Sequence, residues 1–229
     1  MPPSDLSAQE QTYWSELEDL TENLLDELKK GGWLKNETEF AAHNTHKASG
    51  QMLEISARFN GHMATAKALN EAFQSKNSQL TSCLVGLGVG FTKDNVGNAW
   101  AYDMFSVFIE TTEMLRNHLL LILRTNKNPF KPRMTLGQLF TAIKTQCPQY
   151  GPKFVTEVNV GLRNAFSHDL YWMRKRSDES IELCYVEELG GSDFVAPLAD
   201  IMTVIAKQEL LTTCVVEVLG KKAQSGYFK

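Results

Sequence analysis

The chain has 229 residues, 43% of them apolar and 22% charged, with a formal net charge of −4 at neutral pH. That length holds one large or two small domains with a real hydrophobic core. The composition excludes a disordered chain, and the negative balance excludes a general nucleic-acid coat.

The acidity is local. Residues 1–35 carry eight acids against three lysines, net −5, which leaves +1 for the remainder. Cys83, Cys147, Cys184 and Cys214 are scattered with no close pair, a pattern of neither a zinc site nor a small disulfide framework. The opening Met-Pro-Pro-Ser-Asp lacks the basic and apolar regions of a signal peptide. The longest apolar run, Cys83–Gly90, is far short of the ~20 residues that a membrane helix needs. The expectation is a soluble, cytoplasmic protein with no membrane partner.

Ser7-Ala-Gln-Glu10 has capping-box form, and Trp14, Leu17, Leu20, Leu24, Leu25 and Leu28 follow at helical spacing until Gly31-Gly32. This predicts an amphipathic helix with an acidic outer face, either packed on the rest of the chain or free to bind a partner. Asn36-Glu-Thr-Glu39 is a second capping box. Apolar residues from Phe40 to Phe73 then predict one or two helices broken near Gly50. His43 and His46 stand three apart, but no compelling third metal ligand is near them. Arg58 and His62 are read as an incidental pair. Glycines 86, 88 and 90 do not follow the G-x-G-x-x-G spacing, and no GKS/T comes after them. A packed strand or loop is expected there, then a turn over Lys93–Asn98 and a domain boundary near residue 95.

The longest helical pattern runs from Ala99 to Thr125, with Phe105, Phe108, Leu115, Leu119 and Ile122 on its core side. Glu110, Glu113, Arg116, Asn117 and His118 are its polar middle: a solvated face, or, for Glu113 and Asn117, the border of a groove. A loop with Pro129, Pro132, Lys127, Lys131 and Arg133 leads to Thr135, the expected cap of a short helix over Leu136–Gln146. Pro152 suits the first position of a further helix carrying Phe154, Val155, Val158 and Leu162. Two short strands, around Tyr171–Met173 and Ile181–Val186, flank a turn at Ser177–Ser180. Gly190-Gly191 interrupts the pattern, and a last helix runs from Pro197 to about Leu219.

The helix before the hairpin ends in Gly161-Leu-Arg-Asn-Ala-Phe-Ser-His-Asp-Leu-Tyr-Trp172. Arg163 offers a permanent cation with a fork of donors suited to phosphate. His168 is the side-chain type best placed to exchange a proton near neutral pH. On a helix, Asn164 and His168 share a face, while Arg163 lies about 140° around from His168 at roughly 100° per residue. Arg163 and His168 can flank one groove but cannot close a compact site alone. Arg163 as a helix-end ion pair and His168 as a helix C-cap is the competing structural reading.

"RNAFSH", in the order long helix, "TLGQLF" short helix, motif helix, hairpin and closing helix, resembles the signature of HEPN domains. The likeness covers roughly residues 96–220; residues 1–95 match nothing familiar and are set aside as an N-terminal helical region of unknown role. The resemblance implies a mainly α fold: a HEPN-like helical bundle over 96–229, with a small β-hairpin after the motif helix and an N-terminal helical extension. It implies an endoribonuclease needing neither metal nor cofactor, with Arg163, His168 and Asn164 catalytic at a homodimer cleft. Ser167, Tyr171, Arg174, Lys175 and Arg176 are the substrate-binding candidates that accompany them. Such proteins include toxins and phage-defence effectors, so an antitoxin or other protein partner is implied beside RNA. Some toxins of this type carry a tyrosine two residues after the histidine, where this chain has Leu170. The alternative is a non-catalytic HEPN-like module binding nucleotide, RNA or a protein; a third reading is a helical interaction protein whose motif is structural.

Overall fold

A computed structural model describes residues 6–42, 45–74, 93–178, 180–187 and 190–229. The glycine-rich run at 81–91 lies outside these residues, as do the side chains of His43 and His46. The fold is mainly helical. Its elements are α1 (Ala8–Lys30), α2 (Glu37–Ala42), α3 (Thr45–Gln74), α4 (Lys93–Ile122), α5 (Leu136–Gln146), α6 (Gly151–Thr156) and α7 (Val160–Ser167), then β1 (Tyr171–Lys175), β2 (Ile181–Val186), β3 (Asp193–Pro197) and α8 (Leu198–Gln224). No helix among the described residues is long and apolar enough to cross a membrane.

The helix ends follow their local chemistry. Ser7 and Glu10 form the reciprocal capping box that opens α1, as Asn36 and Glu39 do at α2 and Thr135 and Gln138 at α5. α1 closes with Gly32 in the left-handed region (φ 73) and the Trp33 N–H donating to Leu28 O at 2.9 Å, a Schellman stop. The C-terminus repeats it with Gly226 (φ 71) and Tyr227 N–H to Lys222 O.

Four boundaries differ from expectation. α3 runs through Gly50 unbroken, and α4 begins at Lys93 where a turn was expected. The single helix expected from Pro152 through the motif is two, because Asn159 caps a new start by accepting from Leu162 N at 2.8 Å. The expected hairpin is a three-stranded antiparallel sheet in the order β1-β2-β3. β3 gives no alternating signal because its residues are largely exposed; it forms by pairing along the second edge of β2, Leu183 opposite Ala196 and Tyr185 opposite Phe194.

Two apolar cores share the long helices α4 and α8. The first joins Trp14, Leu17, Leu24 and Leu28 of α1 to Leu115 and Leu119 of α4, Leu139, Phe140 and Ile143 of α5, Phe154 of α6, and Val215 and Val218 of α8. The acidic N-terminal helix is thus part of the core, and Glu27 stitches it to the start of α6 by accepting from Gln149 N and Tyr150 N. The second core joins Phe105 and Phe108 of α4, Leu162 and Phe166 of α7, Leu183 and Tyr185 of β2, and Ile201 and Ile205 of α8. α3 rests on its rim through Phe59 and Met63. Arg58 and His62 tie α3 to α4 through Glu110 and Asp103.

Between the cores α4 and α8 meet through buried polar side chains: Gln208 donates to Thr212 Oγ1 (3.1 Å), which donates to Thr111 O (3.2 Å).

Candidate functional site

α7 is the short helix that carries the motif, held by Leu162, Ala165 and Phe166 buried in the second core. Its exit is unusual. His168 is the C-cap residue, its N–H donating to Asn164 O at 3.1 Å, and Asp169 follows with φ 54. Leu170 N–H then donates to Ala165 O at 2.9 Å, so this is the same Schellman stop that Gly32 makes at α1, built here on a residue with a side chain. The turn leaves the His168 side chain exposed at the helix end and sends the chain directly into β1.

Arg163, Asn164 and His168 all line one cleft of about 620 Å³, together with Val160, Leu170, Glu187 and the start of α5 at Thr135, Leu136 and Gly137. One wall belongs to α7, an element of the second core, and the other to the N-terminus of α5, an element of the first. The basic loop residues Lys131 and Arg133 adjoin α5 beside Met134 and Gln138.

Arg163 does not stand free in this cleft. Its Nη2 donates to Glu113 Oε1, and the side chain is only 21% exposed. Glu113 Oε2 accepts from Arg116 Nη1 at 3.2 Å, and Arg116 Nε donates to Met134 O at 2.7 Å. A chain of charge-assisted bonds therefore runs from α7 through α4 to Met134, two residues before α5, and so connects the two walls. Two arginines around one carboxylate leave the triad with a net positive charge. Arg163 Nη1 reaches Asn164 Oδ1 at 3.5 Å, while Arg163 Nε is buried with no hydrogen-bond partner among the described residues.

The remaining candidates lie elsewhere. Ser167 Oγ is buried with no hydrogen-bond partner among the described residues, outside the cleft lining. The Tyr171 ring packs edge-on against Phe105 and Phe166 at 5.3 and 5.2 Å, and burial pushes its hydroxyl up to about 12. Arg174 and Arg176 both pair with Glu182 on the neighbouring strand, which holds the Glu182 carboxyl below the ordinary range through the Arg174 bond first. Lys175 is exposed on β1. None of the five lines the cleft. The sequence-based site is thus divided: Arg163, Asn164 and His168 line one cleft, while Tyr171 packs in the aromatic core and Arg174 and Arg176 pair within the sheet.

Two contributions escaped the sequence. Glu187, just past β2, brings a carboxylate to the cleft, and residues 135–137 bring a helix N-terminus. Gly161 is the available sign of the first. A glycine inside a helix costs about 1 kcal/mol against alanine and marks a place where something approaches closely. Here that neighbour is Glu187: a Cβ on Gly161 would lie 2.0 Å from its Oε1 and 2.2 Å from its Cδ.

No protein-family model, curated protein or solved structure matches this chain. Its fold class, mainly helical with a small antiparallel sheet, and the cleft at the junction of its two cores therefore stand on the chain's own geometry.

Proposed function

We propose that the protein is a metal-independent endoribonuclease of HEPN type, acting as a homodimer in a toxin or defence setting. The observation that carries this reading is the exposed His168 facing the same cleft as Arg163 and Asn164. Cleavage by 2′-hydroxyl attack needs a group to take that proton, a group to protonate the leaving 5′-oxygen, and positive charge for the phosphate. His168 is free to carry a proton to or from substrate. The Arg163–Glu113–Arg116 triad offers net positive charge on one wall, and the α5 N-terminus and its basic loop offer it on the other.

The test is cleavage of a mixed RNA in EDTA by wild type and His168→Ala. The expected outcome is 2′,3′-cyclic phosphate ends from the wild type and a loss of about 10²–10⁴-fold in the variant. Because His168 is exposed, the variant should melt within about 0.5 kcal/mol of wild type. Equal cleavage by both proteins would end the enzyme reading.

The Arg163–Glu113 ion pair and the C-cap position of His168 favour a second reading, a non-catalytic module whose motif is architecture. It predicts that Arg163→Ala unfolds or softens the chain while wild type binds RNA or a partner without cutting.

A further inference from the structure

The motif by itself supplies one proton-transfer group, which is why the ribonuclease reading calls on two chains. The cleft of this single chain already contains a second. Glu187 is exposed, lines it together with His168, and has its carboxyl laid over the bare Cα of Gly161. Arg174, Arg176 and Glu182 are committed to one another, and Glu113 to Arg116 and Arg163. Glu187 has no ion-pair partner among the described residues, although the cationic side of Arg163 is on the same wall. A carboxylate kept out of the neighbouring ion-pair network and lining the same cleft as an imidazole is a group available for proton transfer.

We propose that Glu187 is the general base of the cleft and His168 its general acid, so that one chain holds both halves of the acid–base pair. This inference rests on the ribonuclease reading and specifies its chemistry. The Glu187 carboxylate takes the proton of the 2′-hydroxyl. The 2′-oxygen bonds to phosphorus, and the bond from phosphorus to the 5′-oxygen breaks. The departing 5′-oxygen receives the proton of the His168 imidazolium. The products are a 2′,3′-cyclic phosphate and a 5′-hydroxyl, and solvent returns the proton from Glu187 to His168. Gly161 is the positioning residue in this scheme, since only the absence of a Cβ lets the carboxyl settle there.

Three measurements on the full chain decide it. Glu187→Gln keeps the shape of an exposed side chain, so it should fold normally while kcat drops by about 10²–10⁴-fold and KM stays within roughly threefold. Gly161→Ala displaces only the far end of a flexible side chain. It should melt no lower than wild type, because alanine favours the helix, yet lose kcat as Glu187→Gln does. Mixing the inactive Glu187→Gln and His168→Ala proteins, after exchange of any subunits, should restore nothing.

Wild-type kcat in Glu187→Gln overturns the assignment while leaving the nuclease reading intact. Restored activity on mixing overturns the claim that one chain supplies both groups, since a site shared across a dimer would be rebuilt in the mixed species. Loss of cleavage in Gly161→Ala accompanied by a lower melting temperature counts against its positioning role. A wild type that releases no cyclic phosphate removes the reading and this inference together, an outcome distinct from each of the others.

Discussion

The two cores use the same long helices for different ends. The first is wide and largely aliphatic, gathering Trp14, Leu24, Leu28, Leu115, Leu139, Ile143 and Val215 from four helices. Its helices stop where glycine permits, at Gly32 and Gly226. The second is smaller and aromatic, with Phe105 stacked on Phe166 at 4.2 Å and Phe108 edge-on to the same ring at 5.8 Å. Here the helix stop falls on Asp169, and a buried arginine nitrogen is left without a partner. Both ends contain orphaned polar atoms, Trp14 Nε1 and Thr21 Oγ1 in the first, but among the described residues only the Arg163 nitrogen belongs to a side chain that lines the cleft. Apolar burial thus secures one end, while the other gives up local stability to present particular side chains.

Large-to-small substitutions test this division most strongly. Trp14→Ala and Phe166→Ala should each cost about 3–5 kcal/mol, read by denaturant unfolding. Trp14→Ala should leave the cleft's behaviour per folded molecule unchanged, whereas Phe166→Ala should abolish it, because that ring seats the helix bearing Arg163 and His168. If the two variants affect the cleft alike, the cores are not separable.

Next in size is Glu113→Ala. It leaves two largely buried guanidinium groups facing each other and unlinks the cleft walls, at a cost of about 1–3 kcal/mol. An unchanged unfolding curve would mean that the bonded chain from α7 to Met134 contributes nothing.

Asp169→Gly should be smaller and of opposite sign. A non-glycine residue at φ 54 is strained, so glycine should stabilise by about 0.5–1 kcal/mol, making this stop resemble the one at α1. A destabilised variant would show that the Asp169 side chain contributes something its backbone strain conceals.

The smallest effect concerns pH. Burial raises the Glu209 carboxyl above its ordinary 4.5, and it has no ion-pair partner among the described residues. The folded chain therefore keeps this proton where the unfolded chain has lost it, and stability falls as pH rises from 4.5 through the raised folded value. Glu209→Gln should match wild type near pH 4 and exceed it near pH 8 in thermal melts. A variant that is equal at both would remove Glu209 from the account of pH dependence.

Much of the first core is legible in the sequence. Trp14 to Leu28 and Leu136 to Ile143 show helical spacing behind capping boxes, and both helices lie where their caps put them. The second core is less readable. Val160–Ser167 is too short to show its own period, so Asn159 reads as helix interior although it is a cap. Tyr171, Arg174, Lys175 and Arg176 look available because they follow the motif closely. In a strand, however, alternate residues face opposite sides, and pairing with β2 commits the two arginines to Glu182.

The helical class, the capped starts, the glycine stops and the local grouping of Arg163, Asn164 and His168 follow from sequence alone. These depend on residues within a turn or two of each other, where spacing and cap chemistry act directly. Only the assembled fold binds Arg163 to Glu113, 50 positions earlier. Only the fold brings residues 135–137 to form the facing wall and lays Glu187 over Gly161, 26 positions before it in the chain. Such meetings follow from how α4, α7 and β2 pack around one core, and packing is a property of the assembled chain that no local window contains.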